Sequence, residues 1–358
     1  MKTNIIIHNE CIDTLKSFPN ESIDMIFADP PYNLQLKNSL KRPDNTNVEG
    51  VNDNWDKFSS FEEYDDFTKK WLKECKRVLK KHGTIWIMGS YHNIFRIGSR
   101  LQDLGFWILN DIIWQKTNPM PNFKGTRFTN SHETLIWSSK NKESKYTFNY
   151  NAMKSINGDV QMRSDWRLPI CSGKERMLTD GKKLHSTQKP ETLLSRVILS
   201  STDKGDLVLD PFSGTGTTAA VSKKLGRKWI GIEKELKYVQ ESNKRIDQII
   251  PYDLSDLETI RSKREEPRVP FGQLLERGLL NPGEVLFDGR KRFFAKVRID
   301  GSLISDKSKG SIHSVGAQVQ GLPACNGWTF WHTNFNGSTV PIDTLRNIVR
   351  DQNFNQAQ

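Results

Sequence analysis

An apolar segment that leads straight into two consecutive prolines constrains the fold of this chain more than any other feature. Residues 23–28 are apolar except for Asp24, and Asp29-Pro30-Pro31-Tyr32 follows directly. A short apolar run bounded by prolines is typical of a buried strand. The prolines cannot continue a β-ladder, and they hold the backbone extended. The sequence therefore predicts an acid, a rigid turn and an aromatic ring at the carboxyl end of a strand, the edge at which open α/β sheets bind ligands.

Strand and helix patterns alternate on both sides of the middle of the chain. Strands are predicted at 5–7, 23–28, 84–88, 106–114, 207–209 and 229–232, and helices at 11–16, 61–81, 94–104, 191–200, 217–225 and 235–249. In the helix at 61–81 the aromatic residues recur every three or four positions, which indicates core packing. This alternation predicts an α/β fold with a Rossmann-like mixed sheet, mostly parallel, and helices on both faces.

Two polar regions interrupt the alternation. Residues 33–53 form a long polar stretch with Lys37, Lys41 and Arg42. We expect it to close over a substrate because it follows Tyr32 directly, and a disordered segment is the alternative. Residues 116–183 interleave aromatic and basic residues around one predicted strand at 133–137. Aromatic rings between cations can stack on bases while the charges hold phosphates. An ordinary insertion with a small aromatic core of its own is an equally open interpretation.

The composition changes again near the C-terminus. Residues 256–270 are rich in charge and proline and predict a linker between a catalytic domain at 1–255 and a smaller domain at 271–358. The smaller domain has predicted strands at 284–287, 292–299 and 327–332 and a helix at 342–351, and thus an α+β character.

The bulk properties of the chain narrow its setting. Of its 358 residues 27% are charged and 35% hydrophobic, and no apolar run approaches the roughly 20 residues of a membrane span. Four cysteines without a Cys-x-x-Cys pair favour a reducing compartment and no zinc or other metal site. The amino terminus shows no signal peptide, so we expect a bacterial cytoplasmic protein. The net charge of +11 favours a polyanionic partner such as nucleic acid.

A glycine-containing loop predicts a cofactor site. Asp210-Pro211-Phe212-Ser213-Gly214-Thr215-Gly216-Thr217 follows a predicted strand and opens a helix. Glycines allow a tight turn close to a ligand, and the helix amino terminus offers free N–H groups. The Gly-x-Gly-x-x-Gly spacing of dinucleotide sites is missing, and Glu233 after the next strand can bind ribose hydroxyls. S-adenosylmethionine fits this pattern, with Asp210 facing its amino group, although a plain strand–helix connection would also explain the loop.

The two motifs together predict one reaction. Asp29 and the Pro30 carbonyl could accept hydrogen bonds from an exocyclic amino group while Tyr32 stacks on the ring that carries it. A methyl donor bound at the glycine loop would complete a methyl transfer.

The residues also resemble a known family. Residues 27–36 (FADPPYNLQL), 89–96 (GSYHNIFR), 118–128 (NPMPNFKGTRF), 186–191 (STQKPE) and 323–331 (PACNGWTFW) are similar to S-adenosylmethionine-dependent DNA N6-adenine methyltransferases of the β class, and more narrowly to the bacterial cell-cycle-regulated (CcrM-like) enzymes. The resemblance implies methylation of adenine N6 within GANTC in double-stranded DNA by base extrusion and direct transfer. It also implies a homodimer associated with the nucleoid through DNA.

The motifs and the resemblance together define the candidate residues. Catalytic roles are expected for Asp29, Pro30, Pro31 and Tyr32. Cofactor binding is expected for Glu10, Cys11, Asp29, His185, Thr187, Lys189, Asp210, Pro211, Phe212, Ser213, Gly214, Thr215, Gly216, Thr217 and Glu233. The resemblance places residues 185–190 at the methionine end of the cofactor with Lys189 as anchor, and Glu10 near its adenine ring, although the family usually has Gly-Asp-Cys where this chain has Asn9-Glu10-Cys11.

The candidates for DNA contact are Arg42, Asn122, Lys124, Arg127, Trp328, Trp331 and Arg350. The alternative for each cation is an ordinary solvated charge, and for each tryptophan a place in a domain core.

Three other classes of protein remain as alternatives. A methyltransferase acting on cytosine N4, RNA or protein glutamine would keep the fold. Cytosine N4 enzymes more often carry Ser, and glutamine enzymes Asn, at the position of Asp29. A dinucleotide-dependent oxidoreductase would need the missing third glycine. A DNA-binding regulator without activity would not need the intact pair of motifs.

Overall fold

The structure, a computed structural model, describes residues 1–33, 40–41, 47–48, 58–122, 125–179, 181–185, 187–253 and 268–355. Two compact units comprise Met1–Ile260 and Arg261–Gln358. Arg42, Lys124, most of the polar stretch at 33–53 and most of the predicted linker at 256–270 lie outside the described residues.

The described residues of the first unit form a central sheet, the helices that pack on it and two short hairpins. Its strands are β1 (Ile5–His8), β2 (Ile23–Ala28), β3 (Leu40–Lys41), β4 (Asn47–Val48), β5 (Leu79–Gly89), β6 (Trp107–Lys116), β7 (His132–Ser139), β8 (Asp165–Leu168), β9 (Leu178–Thr179), β10 (Lys182–Lys183), β11 (Leu207–Asp210) and β12 (Lys228–Glu233). Its helices are α1 (Cys11–Ser17), α2 (Phe61–Val78), α3 (Ile94–Asp103), α4 (Tyr150–Ile156), α5 (Glu191–Ser201), α6 (Thr217–Lys224) and α7 (Leu236–Asp247).

The central sheet has eight strands in the order β1-β12-β11-β2-β5-β7-β6-β8. All neighbouring strands run parallel except at β7, which is antiparallel to both β5 and β6. This arrangement confirms the predicted mixed, mostly parallel sheet.

Strand β2 shows why both faces of the sheet are covered. Its residues are all buried, and they alternate between two apolar clusters. Ile26 packs into the cluster that contains Trp71 of α2, whereas Met25 and Phe27 pack into the cluster that contains Leu194 of α5. Successive side chains of a strand point to opposite faces. The uninterrupted apolar run in the sequence therefore reflects helices packed on both sides.

The helix predicted at 61–81 ends earlier than expected. It stops at Val78, and β5 begins at Leu79, which pairs with Ile23 of β2. Gly83 lies inside this strand, where a Cβ would come within 2.8 Å of the Asp24 carbonyl oxygen. Strand pairing with β2 therefore overrides the helical pattern. The prediction that the helix aromatics are all core is also wrong for Phe61, which is exposed beside the Arg96 guanidinium.

Part of the region predicted as an insertion belongs to the central sheet. Strand β7 lies between β5 and β6, and β8 forms the sheet edge next to β6. Trp137 of β7 stacks on Trp86 of β5 with ring centroids 5.1 Å apart, and Trp166 of β8 packs near the same ring. The interpretation of residues 116–183 as a separate aromatic insertion is therefore corrected, because several of its aromatics complete the main core.

The second unit is a six-stranded antiparallel sheet with helices. The strand order is β16-β15-β14-β13-β17-β18. These strands are β13 (Val285–Asp288), β14 (Phe294–Val297), β15 (Leu303–Ile304), β16 (Lys309–Gly310), β17 (Trp331–Phe335) and β18 (Ser338–Pro341), and the helices are α8 (Gly272–Glu276), α9 (Ile312–Gln320), α10 (Gly327–Phe330) and α11 (Ile342–Asn355).

The two tryptophans of this unit lie in its core. Trp331 has no exposed surface, and its indole N–H donates to the Ile312 carbonyl at 2.9 Å. Trp328 is 8% exposed and packs between Phe271 and the Arg346 guanidinium. The strand predicted at 327–332 is thus corrected to a short helix followed by β17, and the stacking role considered for these tryptophans is replaced by a core role.

Within the described ranges, no helix combines the length and apolar character that crossing a membrane requires.

Gly327 offers a test of this packing. A Cβ at Gly327 would lie 2.4 Å from the Ile312 carbonyl oxygen, whereas a Cβ at Gly272, the first residue of α8, would meet open space. We expect Gly327→Ala to destabilise the second unit by about 1–3 kcal/mol through overpacking against backbone. Gly272→Ala should be neutral or stabilise it by up to about 1 kcal/mol. Hydrogen exchange of the β17 amides would measure both effects, and equal protection in the two variants would contradict the predicted clash.

Candidate active site

Four adjacent strands present a carboxylate at the same edge of the central sheet. Strands β1, β12, β11 and β2 are parallel neighbours, and Glu10, Glu233, Asp210 and Asp29 lie at or just beyond their carboxyl ends. All four acids line one cavity of about 420 Å³. Almost every other residue predicted for catalysis or cofactor binding also lines this cavity. These residues are Cys11, Pro30, Pro31, Tyr32, His185, Thr187, Lys189, Pro211, Phe212, Ser213, Gly214, Thr215 and Thr217.

Asp29 is held by a buried cation. The Lys189 ammonium donates to Asp29 Oδ2 at 2.6 Å and to the Thr187 carbonyl at 3.1 Å. Burial raises the pKa of Asp29, although Lys189 opposes the shift. Burial by itself would lower the pKa of Lys189, but the adjacent carboxylates of Asp29 and Glu133 raise it. Lys189 therefore stays protonated, and it lines the cavity with its ammonium on Asp29.

The turn after β2 is fixed from outside. The Tyr64 hydroxyl of α2 donates to the Pro31 carbonyl at 2.9 Å, and the buried Asn93 amide donates to the Tyr64 oxygen at 3.2 Å. Since the prolines also restrict the backbone, the position of Asp29 relative to Tyr32 is set before any ligand arrives.

The Tyr32 hydroxyl lies between two carboxylates. It is 2.9 Å from Asp29 Oδ1 and 3.1 Å from Glu133 Oε2. The Lys189 ammonium lies 5.3 Å from the centre of the Tyr32 ring. The tyrosine thus has a polar anchor as well as an aromatic face.

The glycine loop connects β11 to α6 in a strained conformation that glycine tolerates. Gly214 and Gly216 have φ of +51° and +70°, and a Cβ at Gly216 would come within 2.9 Å of Ser242. Gly216 caps α6 and does not line the cavity, so its contribution is to the shape of the loop. The Asp210 carboxylate accepts hydrogen bonds from the Phe212 amide at 2.9 Å and the Thr218 hydroxyl at 2.5 Å.

Glu233 and Glu10 line the cavity and also accept hydrogen bonds from backbone amides. Glu233 accepts from the Gly214 amide at 2.7 Å and from the Glu235 amide at 2.8 Å. Glu10 caps α1, because its carboxylate accepts from the Ile12 amide at 2.7 Å. The longer side chain at position 10, a departure from the usual family pattern, therefore serves a helix cap.

His185 is a neutral group at the cavity wall. Its ring packs against Tyr238, and Nδ1 lies 3.2 Å from the Thr187 amide nitrogen, which donates to it. Burial lowers the pKa of His185 to about 4, with the nearby cations acting in the same direction.

Several residues at this site were missed by the sequence predictions. Phe58 and Phe67 line the cavity, so the aromatics around α2 are not only core. Phe67 packs against Phe212 of the glycine loop with ring centroids 6.2 Å apart. Glu133 and Lys116 form a largely buried ion pair at 2.6 Å beside Tyr32. The amphipathic pattern of α2 could have shown Phe67 near its edge, but Glu133 carries no local signal.

Asn122 and Arg127, the described candidates for DNA contact in the first unit, are not among the residues that line this cavity. Arg127 is exposed, and its guanidinium donates to the Tyr91 hydroxyl at 2.8 Å. Asn122 is half-buried. Arg350 of α11 is half-buried and donates to the Asn347 side chain at 3.0 Å.

Comparison with known families explains this arrangement. Residues 23–244 match the N6_N4_Mtase family model, described as DNA methylase. The chain belongs to this DNA methylase family. Residues 251–354 match a second model, RAMA, described as Restriction Enzyme Adenine Methylase Associated.

Individual relatives agree with the family. The chain is 50% identical to the Type II methyltransferase M.HinfI of Haemophilus influenzae over 96% of both chains. It is 46% identical to the Type II methyltransferase M2.DpnII of Streptococcus pneumoniae over 68% of this chain and 89% of that protein.

Solved structures resemble about two thirds of the chain. A crystal structure of an M1.HpyAVI–SAM complex has a TM-score of 0.50 and 29% identity, covering 68% of this chain and 98% of that one. The cytosine-N4-specific PvuII DNA methyltransferase has a TM-score of 0.52 and 24% identity over 67% of this chain and 85% of that one, and shares the fold. The predictions of the methyltransferase fold, of an adenine-specific DNA methyltransferase and of S-adenosylmethionine as its cofactor are confirmed.

The charge of the cavity suits this cofactor. Burial raises the pKa of Asp210 to about 7 and also raises the pKa of Glu233, and among the described residues neither carboxylate has a cation beside it as Asp29 has Lys189. Buried carboxylates with raised pKa values lack sufficient positive partners. S-adenosylmethionine carries an ammonium and a sulfonium, and Phe212 and Phe67 supply apolar walls for the rest of the molecule. The residues present therefore fit the cofactor.

The pKa of Asp210 predicts a pH dependence of cofactor affinity. Below pH 7 this carboxyl group becomes neutral and loses its attraction for a cationic ligand, so binding should be roughly ten-fold weaker at pH 6 than at pH 8. Asp29 and Glu233 lie nearby and titrate with it as a coupled group. Calorimetric titration of S-adenosylmethionine at the two pH values measures the ratio.

Two variants assign the effect to the cavity. Asp210→Asn should bind weakly at both pH values. Asp206→Asn should behave like the wild type, because Asp206 also has a pKa raised by burial but lies outside the cavity lining. Wild-type affinity that stays constant from pH 8 to pH 6 would refute the electrostatic role of Asp210.

Proposed function

We propose that this protein methylates N6 of adenine within GANTC in double-stranded DNA, in the manner of the CcrM-like enzymes. The specificity is supported by the resemblance described from the sequence, which runs through the catalytic motif and into residues 323–331. The match to the M.HinfI sequence over 96% of the chain also spans both units.

The main support for the proposal is that the catalytic motif and the glycine loop line the same cavity. Asp29 and the Pro30–Tyr32 turn line the same 420 Å³ space as the glycine loop. The cavity would hold the methyl donor next to the groups that bind the amino group of the base. Methyl transfer would then occur between two bound molecules and would not need a collision in solution.

The catalytic motif would bind the target base. A base paired in a duplex cannot reach a cavity between strand ends, so the adenine must be extruded. Stacking of the base on Tyr32 would contribute about 1–3 kcal/mol. Asp29 and the Pro30 carbonyl would accept hydrogen bonds from the two N6–H groups, which favours a pyramidal nitrogen and stabilises the positive charge that develops on it. Lys189 would keep Asp29 ionised and oriented.

The other cavity residues would orient the cofactor, whose sulfonium supplies the methyl group. Asp210 would face the methionine ammonium, and Glu233 would bind the ribose hydroxyls with the lone pairs that its backbone contacts leave available. His185 and Thr187 would form the methionine end of the site, and Cys11 would lie near the adenine end beside the capped helix α1.

Recognition of the DNA would involve both units. We propose residues 1–255 as the catalytic domain and residues 271–358 as a recognition domain, joined by the linker at 256–270. Asn122, Arg127 and Arg350 remain the candidates for contact, together with Arg42 and Lys124 outside the described residues. Trp328 and Trp331 are not retained, because their rings are buried. A homodimer in the bacterial cytoplasm, associated with the nucleoid through DNA, completes the proposal.

Product analysis tests the reaction and its site. Labelled S-adenosylmethionine is incubated with a duplex containing one GANTC site and with duplexes in which one specified base is changed. We expect N6-methyladenine only in the GANTC duplex, since each altered base pair costs about 1–3 kcal/mol in recognition. Asp29→Asn should bind the cofactor but lose at least a hundred-fold in transfer rate. N4-methylcytosine as product, or equal labelling of all the duplexes, would contradict the proposal.

The salt dependence of DNA binding tests the proposed contacts. Removing a cation that contacts phosphate should weaken binding to all sequences and reduce the slope of log affinity against log salt by about 1. We expect this for Arg127→Gln and Arg350→Gln. Lys16→Gln is the control, because Lys16 is exposed near the end of α1, which precedes the amino end of β2. Unchanged slopes in both arginine variants would remove these residues from the proposed interface.

A further inference from the structure

A line of buried polar groups runs from the catalytic acid into the neighbouring strands. Lys189 contacts Asp29 Oδ2, Asp29 Oδ1 lies 2.9 Å from the Tyr32 oxygen, and that oxygen lies 3.1 Å from Glu133 Oε2. Glu133 Oε1 in turn contacts the Lys116 ammonium at 2.6 Å. The Glu133 and Lys116 side chains are 13% and 12% exposed. Glu133 and Lys116, at the far end of the line, are not among the residues that line the cavity.

Strand direction brings Glu133 to this place. Glu133 lies near the beginning of β7, and Lys116 is the last residue of β6. Because β7 is antiparallel to both of its neighbours, its first residues reach the same edge as the carboxyl ends of the parallel strands. If β7 ran in the other direction, Glu133 would lie at the opposite edge of the sheet, away from Asp29.

The Tyr32 hydroxyl has one proton and two carboxylates within reach. If it donates to Asp29, one acceptor position of the catalytic carboxylate is taken. If it donates to Glu133, that position of Asp29 is available to another donor. Burial opposes the ionisation of Glu133, but the ammonium groups of Lys189 and Lys116 outweigh it and lower the pKa of Glu133. Glu133 therefore remains an anionic acceptor.

We propose that Glu133 is a positioning residue for methyl transfer, which acts through Tyr32. It accepts the hydrogen bond of the Tyr32 hydroxyl when the target adenine enters, and so leaves Asp29 free to accept a hydrogen bond from N6. It also fixes the plane of the Tyr32 ring, on which the base stacks, while Lys116 fixes Glu133. This inference rests on the proposed roles of Asp29 and Tyr32.

The alternative is that Glu133 and Lys116 only stabilise the end of the sheet. Both roles predict a loss of stability when the ion pair is broken, so stability cannot separate them. They differ in whether the effect of Glu133 on the reaction depends on the Tyr32 hydroxyl. A double-mutant cycle measures this dependence.

The cycle combines Glu133→Gln with Tyr32→Phe, and the measured quantity is the single-turnover rate of methyl transfer on a GANTC duplex. In Glu133→Gln the amide oxygen should turn to Lys116 and the amide nitrogen to Tyr32, so that the hydroxyl donates to Asp29. We expect this variant to transfer about ten-fold more slowly, with affinities for cofactor and DNA within about two-fold of wild type. Tyr32→Phe should also lose about ten-fold, since the ring loses its anchor. In the Tyr32→Phe background, Glu133→Gln should change the rate less than two-fold.

Controls separate this inference from folding and from the proposed function. Glu143→Gln removes an exposed carboxylate shortly after β7 and should keep the wild-type rate. Cofactor affinity and thermal unfolding show whether each variant is folded. A wild-type rate in Glu133→Gln, or an equal ten-fold loss in both backgrounds, overturns the inference.

Two further results decide the remaining cases. Should Glu133→Gln not fold, a wild-type rate in Tyr32→Phe alone overturns the inference, because no contact then links Glu133 to the reaction, and a ten-fold loss supports it. The proposed function fails separately, because an active Asp29→Asn enzyme would refute it. If Asp29→Asn is inactive but Glu133→Gln is fully active, the proposed function stands and only the inference about Glu133 is overturned.

Discussion

The site depends on the convergence of strand ends at one edge of the central sheet. Strands β1, β12, β11 and β2 are adjacent and parallel, so the acids that follow them meet although they are up to 223 positions apart in the chain, from Glu10 to Glu233. Collecting several carboxylates in a partly buried cavity is electrostatically unfavourable without cations. The structure balances Asp29 with Lys189, and the raised pKa values of Asp210 and Glu233 show where a cationic ligand is still favoured.

The acids of the cavity also hold the surrounding backbone through hydrogen bonds, so the same side chains determine the shape and the charge of the site. Glu10 caps α1, Asp210 fixes the start of the glycine loop, and Glu233 holds the Gly214 amide. Each of these contacts uses only part of the hydrogen-bonding capacity of a carboxylate, which has about four lone-pair positions. The same side chain can therefore shape the backbone and still accept a hydrogen bond from a ligand.

Charge at this edge is arranged in alternation. Lys189 lies between Asp29 and Glu133, and Lys116 lies on the far side of Glu133. Such a network keeps buried groups ionised because each has a partner of opposite sign, whereas removing one member leaves another unpaired. The Tyr32 hydroxyl is the neutral connection between its two carboxylates, which makes it sensitive to changes at either.

Local sequence determined the elements that carry the two motifs. The apolar run before Asp29 and the strand, glycine loop and helix around Asp210 were predictable because proline, glycine and hydrophobic periodicity act on neighbouring residues. The resemblance extended these motifs to a family, and the family matches agree. The end of α2 at Val78 was not predictable, since it depends on pairing between Leu79 and Ile23.

Only the tertiary structure decided which distant side chains meet. Lys189 contacts Asp29 across 160 positions, and Glu133 reaches Tyr32 only because β7 runs against its neighbours. The direction of a strand has no signature in its own residues, because a strand presents the same alternation whichever way it runs. For the same reason the tryptophans at 328 and 331 were ambiguous: their spacing suits a surface or a core, and packing against Ile312 and Phe271 settles it.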